Sequence, residues 1–456
     1  MGKHIHNLAA IFAACLGLLV GSSVAWPIPV ERKIVDVDDR NFHVTDCEFH
    51  WIAWSAEISA IAGCLAAGIL LHFIGRKLTI LASFIPYAIG YVVLIFAAQK
   101  WMLFVGRIVL GLSMGCISTA VPVYIGELTL KEERGLFGSI FWLFYYAGIF
   151  STYLIGSYVS VFALNITLIL MLIFFLPFVV VPESPLYLLQ IGKKRPPRKF
   201  QHILGDGQSE EENQEEMDEA GGDPRDFRMN PFKNSIGFRS FITVVTIMFL
   251  QQLSGVQTIK YFVKPFFLMM KQSFNTQVGA TILSALMLVS ILIPMFLVDA
   301  IGRRILLFAS ALLMTVSSTM LGFFFCLSDF QPDSTKTIEF TAIFFLFLLG
   351  MAFNVGLGPI PWIIMGEIFT LDIKVIVVPT AAGMHWLMGF LAQVGIQYSS
   401  KYLGIGLTFL LCALVSLSVC MFVMFFVVET RKRSRNEIVK ALHGKDDRII
   451  SRGLVA

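Results

Sequence analysis

The segment QQLSGVQ at 251–257 places three amide side chains, Gln251, Gln252 and Gln257, and the hydroxyl of Ser254 within seven residues. They sit inside FITVVTIMFLQQLSGVQTIKYFVKPFF, a stretch otherwise apolar enough to lie in lipid. A polar side chain there needs an interior partner or a wet cavity, because hydrocarbon offers it nothing. Hydrogen bonding between helices explains one amide; three around a helix-breaking Gly255 exceed that need. Amides both donate and accept, as does each hydroxyl of a polyhydroxylated solute. The indoles of Trp362 and Trp386 suit the apolar faces of such a solute. Glu57, Arg107 and Lys260 are charges at membrane depth and functional candidates by default. Lys260 is read as snorkelling to the interface, with a role in the cavity as the alternative; whether it pairs with Glu57 or with another partner is left open.

These groups must be held by helices that cross a bilayer. The chain has 456 residues, of which 56% are hydrophobic and only 14% charged, against about 25% charged in soluble domains; its mean hydropathy is +0.76. Runs of about 20 apolar residues span the hydrocarbon core. Twelve such runs are predicted, at 7–27, 50–73, 78–98, 101–125, 136–158, 162–181, 238–263, 277–298, 305–326, 340–366, 378–398 and 404–428. The first is read as a retained span and not a secretory signal, since no convincing cleavage site ends it and eleven spans follow. The basic pairs Arg76/Lys77 and Arg303/Arg304 lie on the same side as both termini, which the positive-inside rule assigns to the cytoplasm. The net charge of +4 is thus first a topological signal and implies no nucleic-acid partner. The seven cysteines form no disulfide framework or metal spacing, and no metal or other cofactor is implied.

Three sequence elements recur in order at a nearly constant offset. Ile-Gly-Arg-Lys at 74–77 returns as Ile-Gly-Arg-Arg at 301–304. Gly126-Glu127, followed seven residues later by Arg134, returns as Gly366-Glu367 followed by Lys374. VPES at 181–184 returns as VVET at 427–430. This is a six-plus-six duplication, the organisation of a transporter whose halves rock around a midplane site. The expected divisions are a six-helix bundle over 1–185, a cytoplasmic linker over 186–237, a second six-helix bundle over 238–430 and a cytoplasmic tail over 431–456. The linker runs from the basic GKKRPPRKF to the acidic SEEENQEEMDEAGG, a solvated composition read as a tether.

With these motifs in view, the chain resembles the sugar porters of the major facilitator superfamily, and among them the insect facilitated trehalose or hexose transporters. The resemblance runs over nearly the whole chain: GRK at 75–77, RIVLGLSMG at 107–115, VPVYIGEL at 121–128, PESP at 182–185, QQLSG at 251–255, DAIGRR at 299–304, GPIPW at 358–362 and GEIF at 366–369. It implies an all-α membrane protein of twelve transmembrane helices in two six-helix bundles, with sugar as substrate and lipid as surroundings. It assigns sugar binding to Gln251 and Gln252 and marks Gln257, Asn354, Trp362, His385, Trp386 and Trp142 as further site positions. It also implies an inner gate in which Glu127, Glu183, Glu367 and Glu429 face Arg76, Arg134, Arg303, Arg304 and Lys374 across the two halves, with Lys77 and Asp299 in the same network. Several positions depart from the family pattern: His72 replaces a gate carboxylate, Trp142 a glutamine, Gln257 an asparagine, Met287 an asparagine, Asn354 an acid and His385 an asparagine. Gln257 and His385 keep hydrogen-bonding capacity, whereas Trp142 and Met287 narrow the cavity, so a shifted substrate is expected. Proton-coupled relatives carry an acid in span one; residues 7–27 hold none, and facilitated diffusion across a plasma membrane follows. The alternatives are a sugar sensor without turnover, or a porter for another polyol-like solute; oligomeric state is left open. No nucleophile elbow, metal cluster or phosphate loop suggests an enzyme.

Overall fold

The computed structural model describes residues 2–36, 43–129, 133–184, 187–188, 235–259, 262, 276–330, 339–369 and 371–431. Most of the predicted linker and tail, and Lys260, lie outside these described residues. Among the described residues, twelve helices are long and apolar enough to cross a membrane: α1 Asn7–Glu31, α2 Asp46–Phe73, α3 Arg76–Ile95, α4 Lys100–Leu128, α5 Arg134–Tyr158, α6 Val161–Val180, α7 Phe238–Ile259, α8 Gln277–Ile301, α9 Arg303–Ser328, α10 Phe340–Ile368, α11 Ile376–Tyr402 and α12 Ile405–Phe425. A helix of 25 residues is about 37 Å long at 1.5 Å per residue, enough to cross the hydrocarbon with a tilt. Large side chains turned outward are apolar, among them Ile69, Ile85, Phe296 and Leu414, as a lipid-facing belt requires. The predicted spans agree with these helices to within a few residues. The start of α2 is earlier than apolarity alone suggests, because Thr45 caps it: its hydroxyl accepts from Glu48 N while the Glu48 carboxylate accepts from Thr45 N.

Within lipid, close packing holds helices together and small residues permit it. The densest crossing in the first half joins α2 to α4. A methyl group on Gly115 would lie 2.1 Å from Ala60 O, and one on Gly63 2.3 Å from Leu112 O, so these backbones touch directly. Cys64 and Cys116 sit on the same seam and donate to Gly115 O and Gly63 O, at 3.5 and 3.2 Å. Arg107 of α4 is fully buried and donates to Ser23 O at 2.8 Å and Ala53 O at 3.2 Å, with Trp26 beneath its guanidinium. It therefore ties α1, α2 and α4 together. Asn165 of the Asn-Ile-Thr sequon is buried, accepts from Trp26 Nε1 at 2.7 Å and donates to Leu94 O; it is a packing residue.

In the second half the densest packing instead joins α9 to α12 and to α10, and the halves meet chiefly where α2 packs on α11 and α5 on α8. Two second-half helices are broken. α7 widens into a π turn over Gln252–Val256, where Gly255 takes φ 105°. α10 is interrupted after Val355 and resumes at Ile360, with Pro359 before the restart. Broken helices at membrane depth are tolerated where they line a cavity or are buried in protein.

Candidate binding cavity and its inner closure

A cavity of ≈ 80 Å³ lies between the halves, room for several ordered waters. From the first half α5 supplies Trp142, Tyr145, Tyr146, Ile149 and Tyr153, and α2 supplies Glu57. From the second half come Gln252, Gln257, Met287, His385, Trp386 and Gly389. The α5 residues follow the spacing i, i+3, i+4, i+7 and i+11, a single helical face. The three tyrosines were not predicted, although that spacing was present to be seen.

The predicted site residues divide. Gln252, Gln257, Trp142, His385 and Trp386 line the cavity. Gln251 does not: it is fully buried and donates to Leu357 O at 2.5 Å and Gly358 O at 3.0 Å, filling backbone acceptors that the break in α10 leaves open. Consecutive helical residues point about 100° apart, and here that separation turns Gln252 to the cavity and Gln251 to α10. Asn354 is likewise turned away, donating to Met287 O at 2.7 Å and Ser290 Oγ at 3.2 Å. Trp362 lies beside the cavity, its ring 6.3 Å from that of Trp142 and 4.9 Å from that of His385.

Gln257 Nε2 donates to Gln252 Oε1, Gln252 Nε2 lies 2.9 Å from His385 Nδ1 and 3.0 Å from His385 Nε2, and His385 Nδ1 lies 3.1 Å from Gln251 Oε1. The imidazole thus bridges the two glutamines and links the cavity wall to the break in α10. Gln257 Oε1 and the Nε1 groups of Trp142 and Trp362 are buried without a hydrogen-bond partner among the described residues. Such groups are ordinarily satisfied by a ligand or water. Trp386 is satisfied across the halves by Ser118 Oγ at 3.1 Å.

Below the indoles, on the side of the termini, a smaller void of ≈ 30 Å³ touches both Trp142 and Trp362, with Gly366, Arg134 and Glu367 further in. The inner charges follow. Arg76 holds Glu127 with Nε at 2.8 Å and Nη2 at 2.8 Å, and Ser184 Oγ also donates to Glu127. Glu183 accepts the backbone N–H groups of Arg76 and Lys77 at 3.1 and 3.0 Å. The duplicate is close: Arg303 Nη2 binds Glu367 at 2.7 Å and Asp299 at 2.9 Å, and Glu429 accepts from Arg303 N and Arg304 N, both at 3.0 Å. Tyr187 donates to Phe73 O; burial and then Glu183 push its phenol above the ordinary value, which keeps it a donor.

The expectation that these acids and bases pair across the halves is corrected in detail. Arg76–Glu127 and Arg303–Glu367 close within their own halves, and Lys77 and Arg304 engage Glu183 and Glu429 through backbone N–H groups. The reason is local: each Gly-Arg turn exposes N–H donors at a helix start, where a carboxylate is favoured. Contact between halves passes through the remaining members of the predicted network. Asp299 accepts from Leu136 N at 2.9 Å, buried Lys374 reaches to within 3.4 Å of where a methyl on Gly126 would sit, and Arg134 shares the small void with Glu367.

Twelve helices in two duplicated halves around a largely apolar, aromatic cavity with a few amide groups define a membrane transporter of the major facilitator fold. Residues 10–442 match the family described as Sugar (and other) transporter, and the chain belongs to that family. It is 28% identical over 460 residues to a facilitated trehalose transporter of Bombyx mori, covering 97% of this chain and 88% of the relative. It is 27% identical over 453 residues to one of Polypedilum vanderplanki, covering 97% and 89%. Among solved structures, a proton:xylose symporter bound to 6-bromo-6-deoxy-D-glucose superposes with a TM-score of 0.80 at 19% identity, over 97% of this chain and 100% of that one. The inward-open conformation of the Escherichia coli xylose transporter gives 0.69 at 20% identity, over 96% and 99%.

Proposed function

We propose that the chain is a facilitative porter for a sugar, a hexose or a disaccharide such as the trehalose named for its insect relatives, working by alternating access without proton coupling. The observation that carries this reading is the cavity, in which a few amides, phenols and indoles stand among apolar side chains from both halves around one space between the two repeats. Sugar hydroxyls meet a donor in Trp142 Nε1 and an acceptor in Gln257 Oε1, and the ring faces meet the indoles of Trp142 and Trp386. A transporter needs only modest affinity: a Kd near 1 mM corresponds to about −4 kcal/mol, within reach of a few hydrogen bonds of about 0.5–1.5 kcal/mol each.

Residues 1–185 and 238–430 act in this proposal as the rocking halves, 186–237 as a cytoplasmic tether and 431–456 as a cytoplasmic tail, in a plasma membrane. Towards the termini the cavity is closed twice, by the Trp142–Trp362 pair and by the charge layer beyond the small void. Rocking opens both and exposes the sugar to the other side. Proton-coupled sugar porters carry their coupling acid in the first span, and α1 offers none before Glu31; Glu57 and His385, which line the cavity, are the titratable groups through which an uphill response to a proton gradient would run. Counterflow in proteoliposomes with a panel of labelled sugars tests the reading. Saturable exchange is expected for at least one neutral sugar, is lost with Gln252→Ala, and is not driven uphill by an inward proton gradient; uphill accumulation in that gradient defeats the uncoupled mechanism.

A further inference from the structure

The helices around the cavity differ in what they offer a solute. A methyl group on Gly389 of α11 would lie 3.3 Å from Gln257 Nε2 and 3.5 Å from Gln252 Oε1, so the amides of α7 gather beside α11. From the first half, Trp142, Tyr145 and Tyr146 of α5 bring N–H and O–H groups to the same space. The surface made by α8 and α10 is of another kind. α8 turns Ala280, Leu283, Ser284 and Met287 to the cavity, the spacing i, i+3, i+4 and i+7 of one helical face, and α10 adds Phe353. Ser284 is the one polar residue that these two helices contribute to the lining among the described residues, and its hydroxyl donates back to Thr281 O at 2.8 Å. Asn354, next to Phe353, directs its amide hydrogens to Met287 O and Ser290 Oγ and stays behind this wall. Leu283 and Met287 rest against bare Gly350 of α10, where a methyl group would lie 3.2 Å from Leu283 Cδ1 and 3.3 Å from Met287 Cγ. With α10 so close behind them, the two side chains have no room to withdraw.

A pyranose carries hydroxyls around its whole rim, each a donor and an acceptor. One pressed against Leu283, Met287 and Phe353 gives up its water and gains no partner, a loss of about tenfold in affinity. Hydrogen in its place removes that loss and sets carbon against carbon. We propose that the solute preferred by this cavity is a deoxyhexose, lacking the hydroxyl that would face the α8–α10 wall, and that Met287 is a specificity-determining residue of that wall. The proposal rests on the reading of the cavity as a sugar site and narrows it. The remaining hydroxyls keep the amides of α7 and the polar aromatic groups of α5 as partners. An asparagine at position 287 would return a donor and an acceptor to the wall, so the preference is set by this side chain and not by the size of the space.

The test uses the full chain in proteoliposomes, with exchange and binding constants measured by counterflow for trehalose, D-glucose and the set of monodeoxy analogues of D-glucose. At least one analogue is expected to bind about tenfold more tightly than D-glucose to the native chain. Met287→Asn is expected to reverse that order, strengthening D-glucose and weakening the favoured analogue. A loosened fold would weaken all the solutes alike, so the ratio of the two constants separates specificity from structure. D-glucose binding more tightly than every analogue overturns the proposal, and this comparison is made on the native chain even if the variant fails to fold. A ratio unchanged by Met287→Asn overturns the role of Met287. Exchange of trehalose without any of the monosaccharides also overturns the proposal and leaves the sugar reading standing; a chain that exchanges none of these solutes sinks both.

Discussion

The two neighbouring glutamines of α7 have different jobs, and their substitutions separate accordingly. Gln252→Ala breaks the relay between Gln257 and His385 at the cavity wall, so sugar affinity falls, by about tenfold for one or two hydrogen bonds of about 1 kcal/mol each, while thermal stability changes little. Gln251→Ala strands the carbonyls of Leu357 and Gly358 and one face of His385. It is expected to cost about 1–3 kcal/mol of stability, read as a lower unfolding temperature in detergent, with a smaller effect on affinity. The presence of a cavity beside the amide cluster was legible, because hydrocarbon leaves so few other uses for three amides. Which amide faces the void was not, because that depends on a π turn and a left-handed glycine that rotate the helix within five residues. Asn354 was misjudged for a related reason: a polar residue next to a broken helix has backbone neighbours to satisfy before any solute. Tyr145, Tyr146 and Tyr153 were legible and overlooked, since aromatic residues at helical spacing resemble ordinary packing until a void is seen beside them.

Among the elements, α7 depends on Gly255. At φ 105° a side chain is strained, and a methyl there would come within 3.2 Å of Cys412 Cβ, so Gly255→Ala is expected to cost about 1–3 kcal/mol. The loss should appear both in thermal unfolding and in sugar affinity, because the turn aims Gln252 and Gln257. The seam of α2 and α4 is purely structural by contrast. Gly115→Val forces the helices apart where a methyl already meets backbone at 2.1 Å, and the expected outcome is loss of folded protein on size-exclusion chromatography, not a change of specificity. The twelve spans were legible because each must supply about 20 apolar residues. Their ends were less so, since caps such as Thr45 and Glu48 lie outside the apolar run they terminate.

For the whole molecule, Asp299 joins the halves at the inner layer: it is held by Arg303 at 2.9 Å and accepts the N–H of Leu136 from the other half at 2.9 Å. Removing it with Asp299→Ala forfeits a hydrogen bond to a charged acceptor, worth about 1.5–3 kcal/mol, and should raise the inward-open population roughly tenfold or more. Gly366→Cys is a suitable reporter, because it lines the inner void and nothing lies within 4 Å of a side chain added there. Its labelling by a membrane-impermeant thiol reagent from the side of the termini, mapped by mass spectrometry against the native cysteines, should accelerate in the Asp299→Ala background; an unchanged rate shows that Asp299 does not hold the closure. The duplication also equips the molecule with internal twins. Gly75 at φ 91° and Gly302 at φ 107° each crowd a carboxylate, Glu183 at 2.8 Å and Glu429 at 2.6 Å from where a methyl would stand. An alanine at either place is therefore a replicate of the same physical injury in a different copy of the same ancestral unit. Whatever differs between the two phenotypes reports how unequally the copies have come to share the labour of the cycle.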